Sequence, residues 1–177
     1  AEAGDKVMFV EVDLLRLQPG DLQDAAPVDA VLSTATFHWV TDHDRLFANI
    51  HDVLRPGGQL VAQCGGEGNI ASVIDAVRSL GGERAGTWLY ASPEETAERL
   101  ERAGFSDVET WSHPEVVTFP DGPGLAQFLE TVCLREHLAT LPVEQRHEFA
   151  EAVAAVLPGG AIDYVRLNMV ARRKTTP

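Results

Sequence analysis

An open α/β sheet, mostly parallel and covered by helices on both faces, is the fold class this sequence predicts. Three observations carry that reading. Short apolar runs alternate with amphipathic helical stretches along the chain. The connections hold Pro and Gly where tight turns need them, as in Arg55-Pro56-Gly57-Gly58. The closing run 161–174 follows two helical stretches, so it is expected to return antiparallel to the run 106–119 as a carboxyl-terminal edge strand.

The elements follow in order. Residues 7–15, VMFVEVDLL, form a nearly continuous apolar run, the pattern of a buried strand. After a Pro19-Gly20 turn, 28–36 reads as a second strand. Asp42 is placed to cap a helix over 43–54, whose Leu46, Ile50 and Leu54 recur every four residues beside Phe47. Residues 59–65 are a third strand, and IASVIDAVRSLG is a helix. Ser92, Pro93 and Glu95 mark the start of the next helix as cap, first-turn Pro and capping-box partner, and Gly104 ends it. The strand 106–119 is expected to bend at Pro114. Helices over 123–139 and 143–156 then form a cover at about 122–158, with Leu125, Phe128, Leu129 and Val132 on one stripe. Neither repeats nor a linker divide the chain, so 1–177 is expected to be a single domain.

Composition narrows the function classes. A net charge of −13 makes nucleic acid and anionic membrane surfaces poor partners. Two cysteines, Cys64 and Cys133, are too few for a disulfide framework, and with the lack of a leader-like start they point to the cytoplasm. His43, His51, His113, His137 and His147 show no zinc-like spacing, so no metal is expected and these histidines read as surface or helix-face residues. In an open α/β sheet ligands bind at the carboxyl ends of the strands. Asp13-Leu14, the stretch Ser33 to Trp39 and the stretch from Cys64 to Gly68 each follow a strand, so all three are expected on one rim.

The segments EVDLL, DAVLSTATFHWVTDHDRLFANIHDVLRPGGQLVAQCGGEGNI and SPEETAERLERAGFSDVE resemble class I S-adenosylmethionine-dependent methyltransferases. The likeness extends through DYVRLNMVARR and is closest to the trans-aconitate 2-methyltransferase-like group. It implies a Rossmann-like sheet, S-adenosyl-L-methionine as cofactor and a small-molecule substrate that is methylated on a carboxylate oxygen. It also implies site residues. Asp13 and Leu14 would meet the adenine, Ser33 and Thr34 the methionine side, and Phe37 and Trp39 the cofactor's border. An aromatic face near a sulfonium cation favours it by roughly 0.5–2 kcal/mol. His38 is the candidate catalytic residue, with a positioning role preferred over general base because a carboxylate is already a nucleophile. Trp88, Tyr90, Arg135, Tyr164 and Arg166 come from the covering segments and are the substrate-binding candidates; Arg84 is a further arginine.

Before Val7 nothing matches the family's first strand, its Gly-rich loop or the acidic strand end that holds the ribose. At ~30 residues per βαβ unit, about two βα units have no counterpart, and the chain is expected to be a carboxyl-terminal portion. The resemblance then implies cofactor binding weakened by about two to four powers of ten. Two other readings stay open. One is a non-catalytic domain of the same topology, acting as a binding or assembly module. The other is a dinucleotide-binding oxidoreductase, suggested by GEGNIA at 66–71 but lacking an acidic strand end some twenty residues on.

Overall fold

The computed structural model describes residues 7–82 and 86–175. Four strands form one sheet: β1 (Val28–Thr34), β2 (Leu54–Gly65), β3 (Phe105–Thr118) and β4 (Ala161–Arg173), in the order β1-β2-β4-β3. β1 and β2 are parallel, while β4 runs antiparallel to both β2 and β3. Three strands therefore point one way and β4 alone points back. The antiparallel partnership of the last two strands is as expected, but β4 is interior and β3 is the edge. Edge placement accounts for Pro114 within β3, since a proline's missing donor is tolerated there.

Helix α1 (His43–Val53) starts where the sequence predicts: the Asp42 carboxylate accepts from the Arg45 amide at 2.9 Å. Its far end is closed by Arg173 of β4, whose guanidinium donates to the His51, Asp52 and Leu54 carbonyls. Helix α3 (Pro93–Arg102) is capped by Ser92, which accepts from the Glu95 amide at 3.1 Å. Ser92→Ala is expected to cost about 1 kcal/mol, read as a lowered thermal midpoint. Leu46, Phe47 and Ile50 of α1 and Leu100 of α3 pack on Leu60, Ala62, Cys64, Leu167, Met169 and Ala171 of the sheet, forming one core.

A second core lies over the start of β4. Helices α2 (Ala71–Ser79), α4 (Gly122–Phe128), α5 (Arg135–Ala139) and α6 (Val143–Val156) bury Val73, Val77, Leu125, Leu138 and Val153 against Ile162 and Tyr164. Between α4 and α5 the chain makes a π-helical turn, Leu129–Cys133. That wider turn rotates Val132 out of the predicted stripe, and it is 42% exposed.

Two expectations are corrected. Residues 7–15 form no strand, because no neighbouring strand among the described residues offers them a ladder; 7–13 are irregular, Leu14 to Arg16 make a turn, and Phe9 is 92% exposed. Helices also leave part of one sheet face bare. Leu32, Val61, Trp111 and Val170 lie along it, and Leu32 is 77% exposed. No helix among the described residues is long and apolar enough to cross a membrane.

Candidate active site

Parallel β1 and β2 end side by side, and the loops that leave them are tied together. Ala35, in a left-handed turn, donates from its amide to the Gln63 carbonyl at 2.8 Å. The Gly65 amide donates to His38 Nδ1 at 3.3 Å. That bond keeps the ring proton on Nε2. Burial, with the positive Arg166 and neighbouring His43 behind it, lowers the His38 pKa from its ordinary value to about 4. His38 is thus neutral near pH 7 and presents an N–H donor; it is poorly suited to take a proton.

Around His38 the structure assembles a cavity of about 160 Å³. Trp39, Trp88, Tyr90, Tyr164 and Arg166 line it, joined by Asn69, Val132 and Cys133. The rings form one wall. Trp88 stacks on Tyr90 at 5.6 Å and 17°, meets Trp39 edge-on at 5.8 Å, and His38 lies 5.9 Å from Tyr90. Gly65 has to be glycine here: a Cβ would stand 2.8 Å from both the Asn69 amide and the Tyr90 ring. Opposite lies Arg166, its guanidinium 4.2 Å above the Tyr164 ring and its Nε bonded to Glu115 at 2.6 Å. That bond and charge hold the Glu115 carboxyl below its usual range. Nη1 and Nη2 of Arg166 carry no hydrogen bond among the described residues. Burial pushes Cys64 and Cys133 up to about 11 each, so neither is a ready nucleophile.

Six predicted residues therefore meet in one place: His38, Trp39, Trp88, Tyr90, Tyr164 and Arg166. The others do not. Asp13 closes its own turn by accepting from the Leu15 amide at 3.0 Å, with Arg16 at 3.8 Å. Leu14 and Leu15 dock on α1, their carbonyls accepting from Asn49 and Arg45. Ser33 and Thr34 lie along the bare sheet face. Phe37 turns into the core, 2% exposed and edge-on to Phe47. Arg135 is exposed and outside the cavity, and Arg84 lies outside the described residues. Asp13 and Leu14, expected to meet an adenine, stand outside this cavity.

GEGNIA turns out to be structural. Its Gly66 amide donates to the Val165 carbonyl, Glu67 to Ala91, and Ile70 to Asp163. At the start of α2 the Asp163 carboxylate accepts from the Ser72 amide at 3.0 Å, standing where a pyrophosphate would have to lie. These bonds exclude the dinucleotide reading of the motif. Asn69, which sequence reasoning passed over, accepts from the Val165 amide at 2.9 Å and reaches the cavity. Its signal was the neighbouring left-handed residue Ile70, a conformation costly for a β-branched side chain. No spacing rule reveals that in advance.

Residues 1–62 match the model of a methyltransferase domain. Over 90% of its length the chain is 32% identical to a trans-aconitate 2-methyltransferase of Deinococcus radiodurans, and it covers 69% of that protein. It is 34% identical, over 59% of its length, to a malonyl-[acyl-carrier protein] O-methyltransferase of Geobacter sulfurreducens, of which it covers 41%. A candidate methyltransferase from Bacillus halodurans shares the fold: TM-score 0.56, 14% identity, covering 96% of this chain and 78% of that one.

Proposed function

This chain belongs to the class I S-adenosylmethionine-dependent methyltransferases, and we propose that its acceptor is a small organic acid methylated on a carboxylate oxygen. One observation carries the proposal: a preorganised arginine faces a small aromatic cavity. Arg166 is held by Glu115 on one edge and by the Tyr164 ring beneath, so its remaining two nitrogens can meet a carboxylate with little further ordering. The cavity, at about 160 Å³, lies below the usual range for drug-sized ligands and suits a small acceptor. The two relatives named above are a trans-aconitate 2-methyltransferase and a malonyl-[acyl-carrier protein] O-methyltransferase; the first name is that of a small carboxylic acid, and the second names a malonyl group carried on a protein.

The cofactor supplies an electrophilic methyl group for an in-line displacement. No general base is required, because an ionised carboxylate is the nucleophile, and this agrees with a neutral His38. Arg166 binds and orients the acid through a second carboxylate, leaving the reacting one unclamped. His38 Nε2–H would donate to an acceptor oxygen and fix its angle. Trp88 and Tyr90 line the inner wall of the cavity, while Trp39 is half-exposed at its side. The protein's net charge of −13 opposes long-range capture of an anion, so recognition rests on this local pair of donors.

The test is transfer of labelled methyl from S-adenosylmethionine to a panel containing trans-aconitate, malonate and neutral alcohols and amines. Methyl ester on the polycarboxylic acids is expected. Arg166→Gln should raise the acceptor KM by about tenfold or more, the loss of a charge-assisted pair. Transfer confined to an alcohol or amine would sink the acid assignment.

A further inference from the structure

We propose that Glu136 is a positioning residue that latches the strap Thr87–Tyr90 across the mouth of the aromatic cavity. Along this strap the residues alternate. Trp88 and Tyr90 turn into the cavity, while the residues beside Trp88 are tethered on either side of it. At one tether the Thr87 amide donates to Glu136 Oε2 at 2.7 Å, and the Thr87 hydroxyl lies 2.7 Å from both carboxylate oxygens. At the other, the Leu89 amide donates to the His38 carbonyl at 3.0 Å. Trp88 is thus pinned between the helical cover and the turn that carries His38.

Glu136 is well placed for this. It stands in the first turn of α5, directly after the π-helical turn that delivers Val132 and Cys133 to the same cavity. Both groups on Thr87 are donors, so an ionised carboxylate satisfies them together and a neutral side chain does so less well. The strap itself forms no helix or strand, so its position rests on these tethers. The stacking of Trp88 on Tyr90, and of Trp88 edge-on to Trp39, depends on where the strap is held. Arg135, the neighbour singled out for its charge, has no such contact among the described residues.

The consequence for catalysis rests on the organic-acid reading, whereas the latch itself does not. The experiment is acrylamide quenching of tryptophan fluorescence in a Trp111→Phe background, where Trp39 and Trp88, both in the wall, are the remaining indoles. Glu136→Ala is expected to raise the quenching constant roughly two- to threefold, with the thermal midpoint held within about 2 °C, since the opening is local. Glu136→Asp, which keeps the charge on a shorter arm, should recover part of the protection. Thr87→Val should show the same direction with α5 untouched, which covers a Glu136→Ala variant that fails to fold. Quenching unchanged in both Glu136→Ala and Thr87→Val overturns the latch. In the methyl-transfer assay with trans-aconitate, Glu136→Ala should raise KM more than it lowers kcat. Raised quenching with both constants unchanged would overturn the positioning role. Absence of transfer by the parent protein would instead count against the acid reading, and the quenching result would still decide the latch.

Discussion

Phe47→Ala is expected to destabilise the protein by about 3–5 kcal/mol, the usual cost of emptying a large aromatic site in a packed core. Phe47 is fully buried on α1. Its ring stands 6.1 Å from Phe37, edge-on, and 5.5 Å from the His43 ring, so it joins α1 to the turn that positions His38 and Trp39. The cavity left behind would be flanked by helix and sheet backbone, which collapse poorly. The effect should therefore reach the site: Phe37 loses its partner, and the His43 bond to the Phe37 carbonyl at 3.0 Å loses its support. Chemical denaturation measures the stability, and indole quenching reports the turn. A cost below about 1.5 kcal/mol would mean that the core relaxes around the loss and that Phe47 does not hold the turn. Phe37→Ala should behave alike, since Phe37 is a core residue; a wild-type stability with weakened cofactor binding would restore it to the wall.

How much of this was legible depends on whether the information was local. Helix α1 was readable because its cap Asp42 and the apolar four-residue spacing are local. The same holds for Ser92 and α3. Arg55 to Gly58, read as a tight turn, instead form an irregular stretch inside β2 where the register with β1 shifts. Strand order was not readable, because placing β4 between β2 and β3 depends on β2–β4 pairs 101–113 residues apart as well as the nearer β3–β4 pairs. The apolar run at 7–15 misled for a related reason: composition marks a segment fit to be buried, and only a partner strand makes it one. Asp13, placed by the same reading at a strand end, opens a turn instead. Within the site, the large rings and Arg166 stood out by type, whereas Asn69 and Glu136 did not. An asparagine beside a left-handed residue and a glutamate on a helix surface look ordinary until Val165 and Thr87 are brought to them. His43 is the opposite case. Read as a surface residue, it is buried, because the position just after the cap faces the Phe37–Trp39 turn.

That buried histidine and His38 together predict an acid-sensitive site. The pKa of each is lowered, with burial the largest cause. For His38, Arg166 and His43 add to it; for His43, the Phe37 carbonyl, Asp44 and Asp42 pull the other way and Arg99 pulls with burial. His43 Nε2 is committed to the Phe37 carbonyl, and its Nδ1 is buried with no partner among the described residues, so a second proton there would be an uncompensated charge. A base whose folded pKa is depressed binds fewer protons folded than unfolded. Its stabilising contribution is complete above the ordinary value of 6.5 and is lost as pH falls toward the folded value, about 4 for His38. At 1.36 kcal/mol per unit, and discounted because His38 is only partly buried, that amounts to about 2 kcal/mol for His38 alone. Thermal midpoints should therefore fall between pH 6.5 and 4.5, before most carboxylates titrate. His38→Phe, which keeps a ring against Tyr90 but cannot take a proton, should flatten that slope, and His43→Leu should flatten it further. The Gly65 amide loses its acceptor in the first variant, so the midpoint at pH 7 should drop slightly while the slope shrinks. An unchanged slope in the double variant would show that the acid response lies outside the turn, and that neither imidazole is held neutral by its burial.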